Sequence, residues 1–286
     1  MNTEKNLSKR LLKLFPVKIL KDHFKPESVS EELFDEVVSK NIKANIDAFA
    51  YGNLEYTKQH IYVYNFGTTL DVLNINYTSF PLPIVNKSSS AGEVSIVISP
   101  IVDFKVILSN PFEETVLKFN QPFKIVLSDK HLVFYVTILE KKINSYFQND
   151  RQVLNIEKIN DENFILEQIC NYFDRNNPMV CDLNKGIKRL WDSDSVDCKY
   201  AKWKKDRSTT TETMDEDYTL KSQYPDVYQN LISSPLKKML FKYIKEDDLF
   251  PEHFTIDPSV GQISIPIFPK TSNQNGNVVK TILSNN

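Results

Sequence analysis

Three residues of this chain have the types and spacing for phosphoryl chemistry. Asp197 and Lys199 flank Cys198 in the run Ser195-Val196-Asp197-Cys198-Lys199, and Asp182 ends the short apolar run Pro178-Met179-Val180-Cys181. Two carboxylates can hold a divalent cation such as Mg²⁺ or Mn²⁺, and a lysine beside them steadies an attacking water or a phosphate. On a strand, Asp197 and Lys199 would share a face, because side chains alternate with period two. A second chemistry begins at the same place. Lys199, Lys202, Lys204, Lys205 and Arg207 outnumber Asp206 and leave +4 over residues 199–207, with Tyr200 and Trp203 among them. Cations meet phosphates while aromatic faces stack on bases, a combination suited to single-stranded nucleic acid.

The acid followed by D-x-K resembles the pattern of the PD-(D/E)xK nuclease group, over Pro178–Lys199 only. The resemblance implies metal-dependent cleavage of nucleic acid, with Asp182, Asp197 and Lys199 as the catalytic set and the two acids as metal ligands. In that group the acids lie on adjoining strands, whereas LNKGIKRLW between them here reads as helix. The competing structural use makes Asp182 an N-cap of that helix and pairs Asp197 with Lys199 on the surface. The basic run has an intramolecular alternative too. Glu212, Asp215, Glu216 and Asp217 follow it with −4, so a hairpin would neutralise itself, and Thr213 with Glu216 fits a capping box. Lys5, Lys9, Arg10, Lys13 and Lys18 near the N-terminus would extend a basic surface or dock on an anionic membrane, but a helix used for internal packing is the favoured reading.

Composition narrows the remaining classes. The chain has 286 residues, 35 basic against 37 acidic, and a net charge of −2, so any polyanion surface must be a local patch. Six glycines and no Walker or G-x-G-x-x-G pattern argue against a P-loop or dinucleotide enzyme. Cys170, Cys181 and Cys198 are odd in number and lack C-x-x-C spacing, and His23, His60, His131 and His253 form no H-E-x-x-H pattern. There is no uninterrupted apolar h-region near the start and no run of 18 apolar residues. A cytoplasmic protein with no membrane span is expected.

The elements that must position these residues follow from periodicity. Leu7, Leu11, Leu12 and Leu14 form a helical stripe that Pro16 interrupts, and Ser28–Asn45 reads as a second helix. From His60 to Ile138 short runs rich in Val, Ile, Phe and Tyr predict six or seven antiparallel strands, sandwich-like or open barrel-like. Helical texture returns at 140–147, 162–173 and 184–191. Pro225–Ile244 reads as two helices, with Leu236, Met239, Leu240, Tyr243 and Ile244 at helical spacing. Residues 253–268 read as a hairpin turned at Asp257-Pro258 and Gly261. The expected fold is therefore α+β: a helical N-terminal segment over 1–55, an antiparallel β-rich domain over 56–147, a mainly helical portion with the hairpin over 148–270, and a flexible tail over 271–286.

The leading functional expectation is a non-enzymatic binding protein without a cofactor, a component of a larger assembly. It would contact protein partners through the neutral sheet and nucleic acid through Lys199, Tyr200, Lys202, Trp203, Lys204, Lys205 and Arg207. The alternative is the metal-dependent nuclease built on Asp182, Asp197 and Lys199.

Overall fold

The computed structural model describes residues 3–90, 92–109, 111–139, 146–147, 152–159, 161–205, 208–213 and 219–286. Helices α1 (Thr3–Leu12), α2 (Val17–Phe24), α3 (Ser30–Lys40) and α4 (Lys43–Gly52) open the chain. Strands β1 (Gln59–Phe66), β2 (Ile84–Ser90), β3 (Glu93–Ile98), β4 (Ile101–Leu108), β5 (Glu113–Asn120), β6 (Phe123–Leu127), β7 (His131–Thr137) and β8 (Val153–Lys158) follow. Next come α5 (Glu162–Tyr172), β9 (Pro178–Val180), α6 (Asn184–Asp192), β10 (Val196–Lys205) and β11 (Ser208–Thr213). The last elements are α7 (Leu220–Gln223), α8 (Pro225–Ser233), β12 (Leu236–Tyr243), β13 (His253–Asp257), β14 (Gln262–Ile265) and α9 (Gln274–Ser284). The molecule is thus mixed α+β, and among the described residues no helix is long and apolar enough to cross a membrane.

The chain forms two units. The first gathers Met1–Thr57, Asp71–Val126 and Val136–Arg175. Pro16 cannot continue a helix and stands as the N-cap of α2, which separates the two apolar stretches of the N-terminus. Leu11, Leu12, Leu20, Leu33, Val37 and Phe49 form a core with Val102 of β4 and Phe119 of β5. Strand β4 pairs antiparallel with β5 on one side and β8 on the other, giving a three-stranded sheet. The basic side chains of α1 are used inside this unit. Lys9 bonds Asp35 at 2.7 Å, Lys13 pairs with Glu31 at 2.9 Å, and the Arg10 guanidinium donates to the Lys118 carbonyl at 2.6 Å while lying over the Phe119 ring. The expectation that this helix extends a basic surface is corrected for Lys9, Arg10 and Lys13.

The second unit gathers Lys58–Leu70, Leu127–Tyr135 and Asn176–Asn286. Its sheet has the order β11-β10-β12-β13-β14-β1, with β9 also pairing β1. These strands pair antiparallel. One face is apolar: Met239, Phe241, Phe254, Ile256, Ile263, Ile265 and Ile61 are fully buried. The Trp191 ring of α6 lies 5.7 Å from Phe241 and 4.9 Å from Tyr228 of α8, edge on in both cases. Helix α6 approaches α9 so closely that a β-carbon on Gly186 would lie 2.1 Å from the Ile282 carbonyl oxygen.

Two elements of this unit differ from the sequence reading. Leu236–Tyr243 is strand β12, not a second helix. Its apolar residues fit a 3.6-residue period by coincidence, but Met239, Phe241 and Tyr243 are buried in alternation with Lys238, Leu240 and Lys242, which is the period of a half-buried strand. The tail after Thr271 is not loose: α9 buries Val278, Val279 and Ile282. Two polar contacts hold its start, from the Asn275 amide to Gln59 Oε1 at 2.8 Å and from the Gln274 amide to the Phe250 carbonyl at 2.9 Å. Among the described residues the C-terminal half therefore carries six strands of the sheet, β9 to β14, together with its helices. Strands β13 and β14 pair antiparallel across a turn in which Gly261 takes φ +61°. That conformation is strained for a side-chain-bearing residue, and a β-carbon would also meet the Val63 carbonyl oxygen at 2.6 Å.

Candidate functional site

Strand β10 carries most of the residues singled out from the sequence. It lies between β11 and β12, and its register with β12 shifts between Cys198 and Tyr200. Cys198 stands opposite Phe241 and Tyr200 opposite Leu240, so Lys199 is the extra residue of a bulge. Lys199 Nζ lies 2.8 Å from Asp197 Oδ2. This ion pair is expected on the surface, yet Asp197 is only 2 % exposed and the Lys199 side chain 11 %. A pair this sheltered is held by its own geometry, since removing one partner strands a desolvated charge.

Asp182 has a different task. Its Oδ1 accepts from the backbone N–H of Asn184 at 2.9 Å and from the Asn184 side-chain amide at 2.7 Å, closing the turn into α6. Leu183, not Asp182, is the N-cap residue of that helix, so the capping use is corrected by one position. Asp182 lines a depression with Asn184, Lys185, Lys188, Arg189 and Asn286. Asp197 lines another, with Trp191, Asp194, Val196, Thr219, Lys221 and Ser222 among its walls. Among the described residues no group of three or more His, Cys, Asp or Glu side chains is arranged to hold a metal ion. The two acids of the D-x-K pattern thus stand in separate surroundings.

The basic-aromatic segment divides by strand parity. Ala201 and Trp203 point into the protein, with Trp203 only 4 % exposed. Trp203 is therefore a core residue, and the expectation that its ring is offered to a base is corrected. Tyr200 is half-buried and Lys202 exposed. Lys204 and Lys205 continue the strand, paired with Thr209 and Ser208 of β11, and Arg207 lies outside the described residues. Strands β10 and β11 do form a hairpin, but Tyr200 stands opposite Thr213, Lys202 opposite Thr211 and Lys204 opposite Thr209, so these partners are threonines and not the acidic block. Asp215, Glu216 and Asp217 lie outside the described residues.

What the sequence reading missed is the contribution of β12 and β13. A groove of about 670 Å³ on the outer face of the sheet is lined by Lys199, Tyr200, Thr213, Lys238, Leu240, Lys242, Glu252, His253 and Thr255. The registers arrange these residues in rows across the strands. Thr213, Tyr200, Leu240 and Thr255 form a central row, each the direct partner of the next. On one side Lys202 stands opposite Lys238. On the other, Lys242 stands between Asp197 and His253, with Lys199 at the bulge. The signal in the sequence was the alternation K-M-L-F-K at 238–242, which the competing helical period obscured.

The groove lining carries Lys199, Lys238 and Lys242 against the single acid Glu252. Among the described residues no acid pairs with Lys202, Lys238 or Lys242, while Glu252 lies 3.7 Å from the imidazole of its neighbour His253. Like charges directly opposite on a sheet disfavour the fold, by up to about 1 kcal/mol for a pair such as Lys202 and Lys238. An anion in the groove would relieve that repulsion. Burial raises the Cys198 thiol far above its ordinary range, the Cys170 thiol to about 11, and the Cys181 thiol as well, which disfavours the thiolate at each. Comparison with family models, with curated proteins and with solved structures finds no match for this chain.

Proposed function

We propose that this protein is a binding protein that contacts nucleic acid through the outer face of β10, β12 and β13, as a cytoplasmic component of a larger assembly. The observation that carries this reading is the groove in which Lys238 and Lys242 flank the row of Tyr200 and Leu240, with the exposed Lys202 opposite Lys238 beside it and no acid paired to any of the three among the described residues. Ammonium groups fixed on a sheet attract phosphates without reading sequence, so affinity for many sequences and strong salt dependence follow. Protein contact is supported by the exposed Val116 and Leu154 on the two edge strands of the three-stranded sheet in the first unit.

Electrophoretic mobility shifts with RNA and DNA at about 50 mM salt, where such contacts are strong, test the reading. The protein shifts the probe, and a Lys202→Gln, Lys238→Gln, Lys242→Gln variant that melts as the parent does loses the shift. A parent protein that leaves every probe unshifted at this salt defeats the proposal.

A further inference from the structure

We infer that the groove selects unpaired strands, holding one base on the central row with the flanking phosphates on Lys238 and Lys242. The inference rests on the nucleic-acid reading above and names its substrate class. Its basis is the order of chemistry across the sheet. The central row presents the Tyr200 ring beside the Leu240 side chain, with the hydroxyls of Thr213 and Thr255 at its ends. A lysine lies on either side along β12: Lys238, opposite Lys202, is two residues before Leu240, and Lys242, between Asp197 and His253, is two residues after it. Side chains at i and i+4 of a strand stand about 13 Å apart on one face. Lys238 and Lys242 therefore bracket an aromatic and apolar floor on which a single ring can lie, while the backbone on each side of that base passes an ammonium.

A duplex cannot use this floor. Its bases are stacked on one another, and its outward groups are phosphates and groove edges, so it would meet the lysines and leave the Tyr200 ring uncovered. An unpaired base offers its face to an aromatic side chain at no cost in base pairing. Trp203 takes no part, because it faces the core from the opposite side of the strand. The result is one stacking position, framed by charge, with hydroxyls from threonines able to bond to base edges or sugar.

The test is fluorescence anisotropy at about 150 mM salt with a labelled 12-nucleotide pyrimidine strand and the same strand annealed into a duplex. The single strand is expected to bind at least about tenfold more tightly. Tyr200→Ala is expected to weaken it by about 5- to 150-fold, the range for loss of one base–aromatic stack, and so to shrink the preference for strand over duplex. Tyr200→Phe keeps the ring and restores binding. Because Tyr200 is half-buried, a second measurement uses the unaltered protein: photocross-linking of a bromouridine-substituted strand, mapped by mass spectrometry to peptides containing Tyr200 or Lys238–Lys242. Equal affinity for strand and duplex overturns the inference while leaving nucleic-acid binding at this face in place, whereas cross-links confined to other surfaces overturn the inference and the assignment of the face together. Absence of binding to either probe at 50 mM salt overturns both.

Discussion

The salt dependence of binding is set by the number of lysines the groove commits to phosphates. Lys202, Lys238 and Lys242 have no acid partner among the described residues, whereas Lys199 is held by Asp197 at 2.8 Å and is left out of the count. Each phosphate neutralised on a single strand contributes about −0.7 to the slope of log affinity against log salt, so three ammonium groups give a slope near −2. Between 50 and 200 mM salt that slope weakens binding roughly 20-fold. The perturbation is Lys238→Gln with Lys242→Gln, both on the exposed face of β12, where removing charge leaves Met239 and Phe241 packed as before. The slope is then expected to fall to about −0.7, and the salt-induced loss to roughly threefold. Anisotropy titrations at four or five salt concentrations measure both slopes. A slope for the parent steeper than about −4 would place most phosphate contacts elsewhere, and an unchanged slope in the double variant would refute the assignment of these two lysines.

Three further outcomes bear on the architecture that supports the groove. Asp197→Ala removes the carboxylate from a nearly buried ion pair and is expected to cost about 3–5 kcal/mol, read as a lowered denaturant midpoint; a shift below about 1 kcal/mol would mean the pair is solvated. Gly186→Ala drives a methyl group against the Ile282 carbonyl and is expected to destabilise by at least about 1–3 kcal/mol, so a variant melting with the parent would contradict the close approach of α6 and α9. In the first unit, the bond from Lys40 and those from Ser28 and the Glu27 backbone lower the Glu36 carboxyl from 4.5 to about 2. A carboxylate depressed on folding stabilises above its unfolded value, and that contribution is lost as pH falls from about 4.5 towards 2. Acid titration of the far-ultraviolet circular dichroism should therefore show a smaller loss in that window for Glu36→Gln, and superimposable curves would remove Glu36 as a cause.

Half of the site was legible in the sequence. Lys199, Tyr200 and Lys202 were identifiable from their types, and strand parity applied to β10 would have separated Tyr200 from Trp203. Parity also brings Lys199 to the face of Asp197, but it does not show the bulge at Lys199 or the burial of the pair. Lys238 and Lys242 were hidden for another reason. The order of apolar residues in LKKMLFKYI satisfies a helical stripe as well as a strand, and the packing of Phe241 against Trp191 and Phe254 decides between them. That packing depends on residues distant in sequence, which is tertiary context a local period cannot contain. The same holds for α9: Asn and Ser around 272–277 look like a loop until Gln274 and Asn275 find the Phe250 carbonyl and Gln59. The α+β class was readable because Val, Ile and Phe alternation and leucine stripes occur in separate stretches of the chain.

The claim that the outer face of β10, β12 and β13 is where nucleic acid sits is tested most directly by a lysine footprint. The protein, free and saturated with a 12-nucleotide single strand, is treated briefly with an acetylating reagent and each lysine is quantified by mass spectrometry. Protection of Lys202, Lys238 and Lys242, with Lys185 and Lys188 of α6 reacting as in the free protein, is the predicted result. Protection of the α6 lysines with Lys238 and Lys242 unchanged would contradict it.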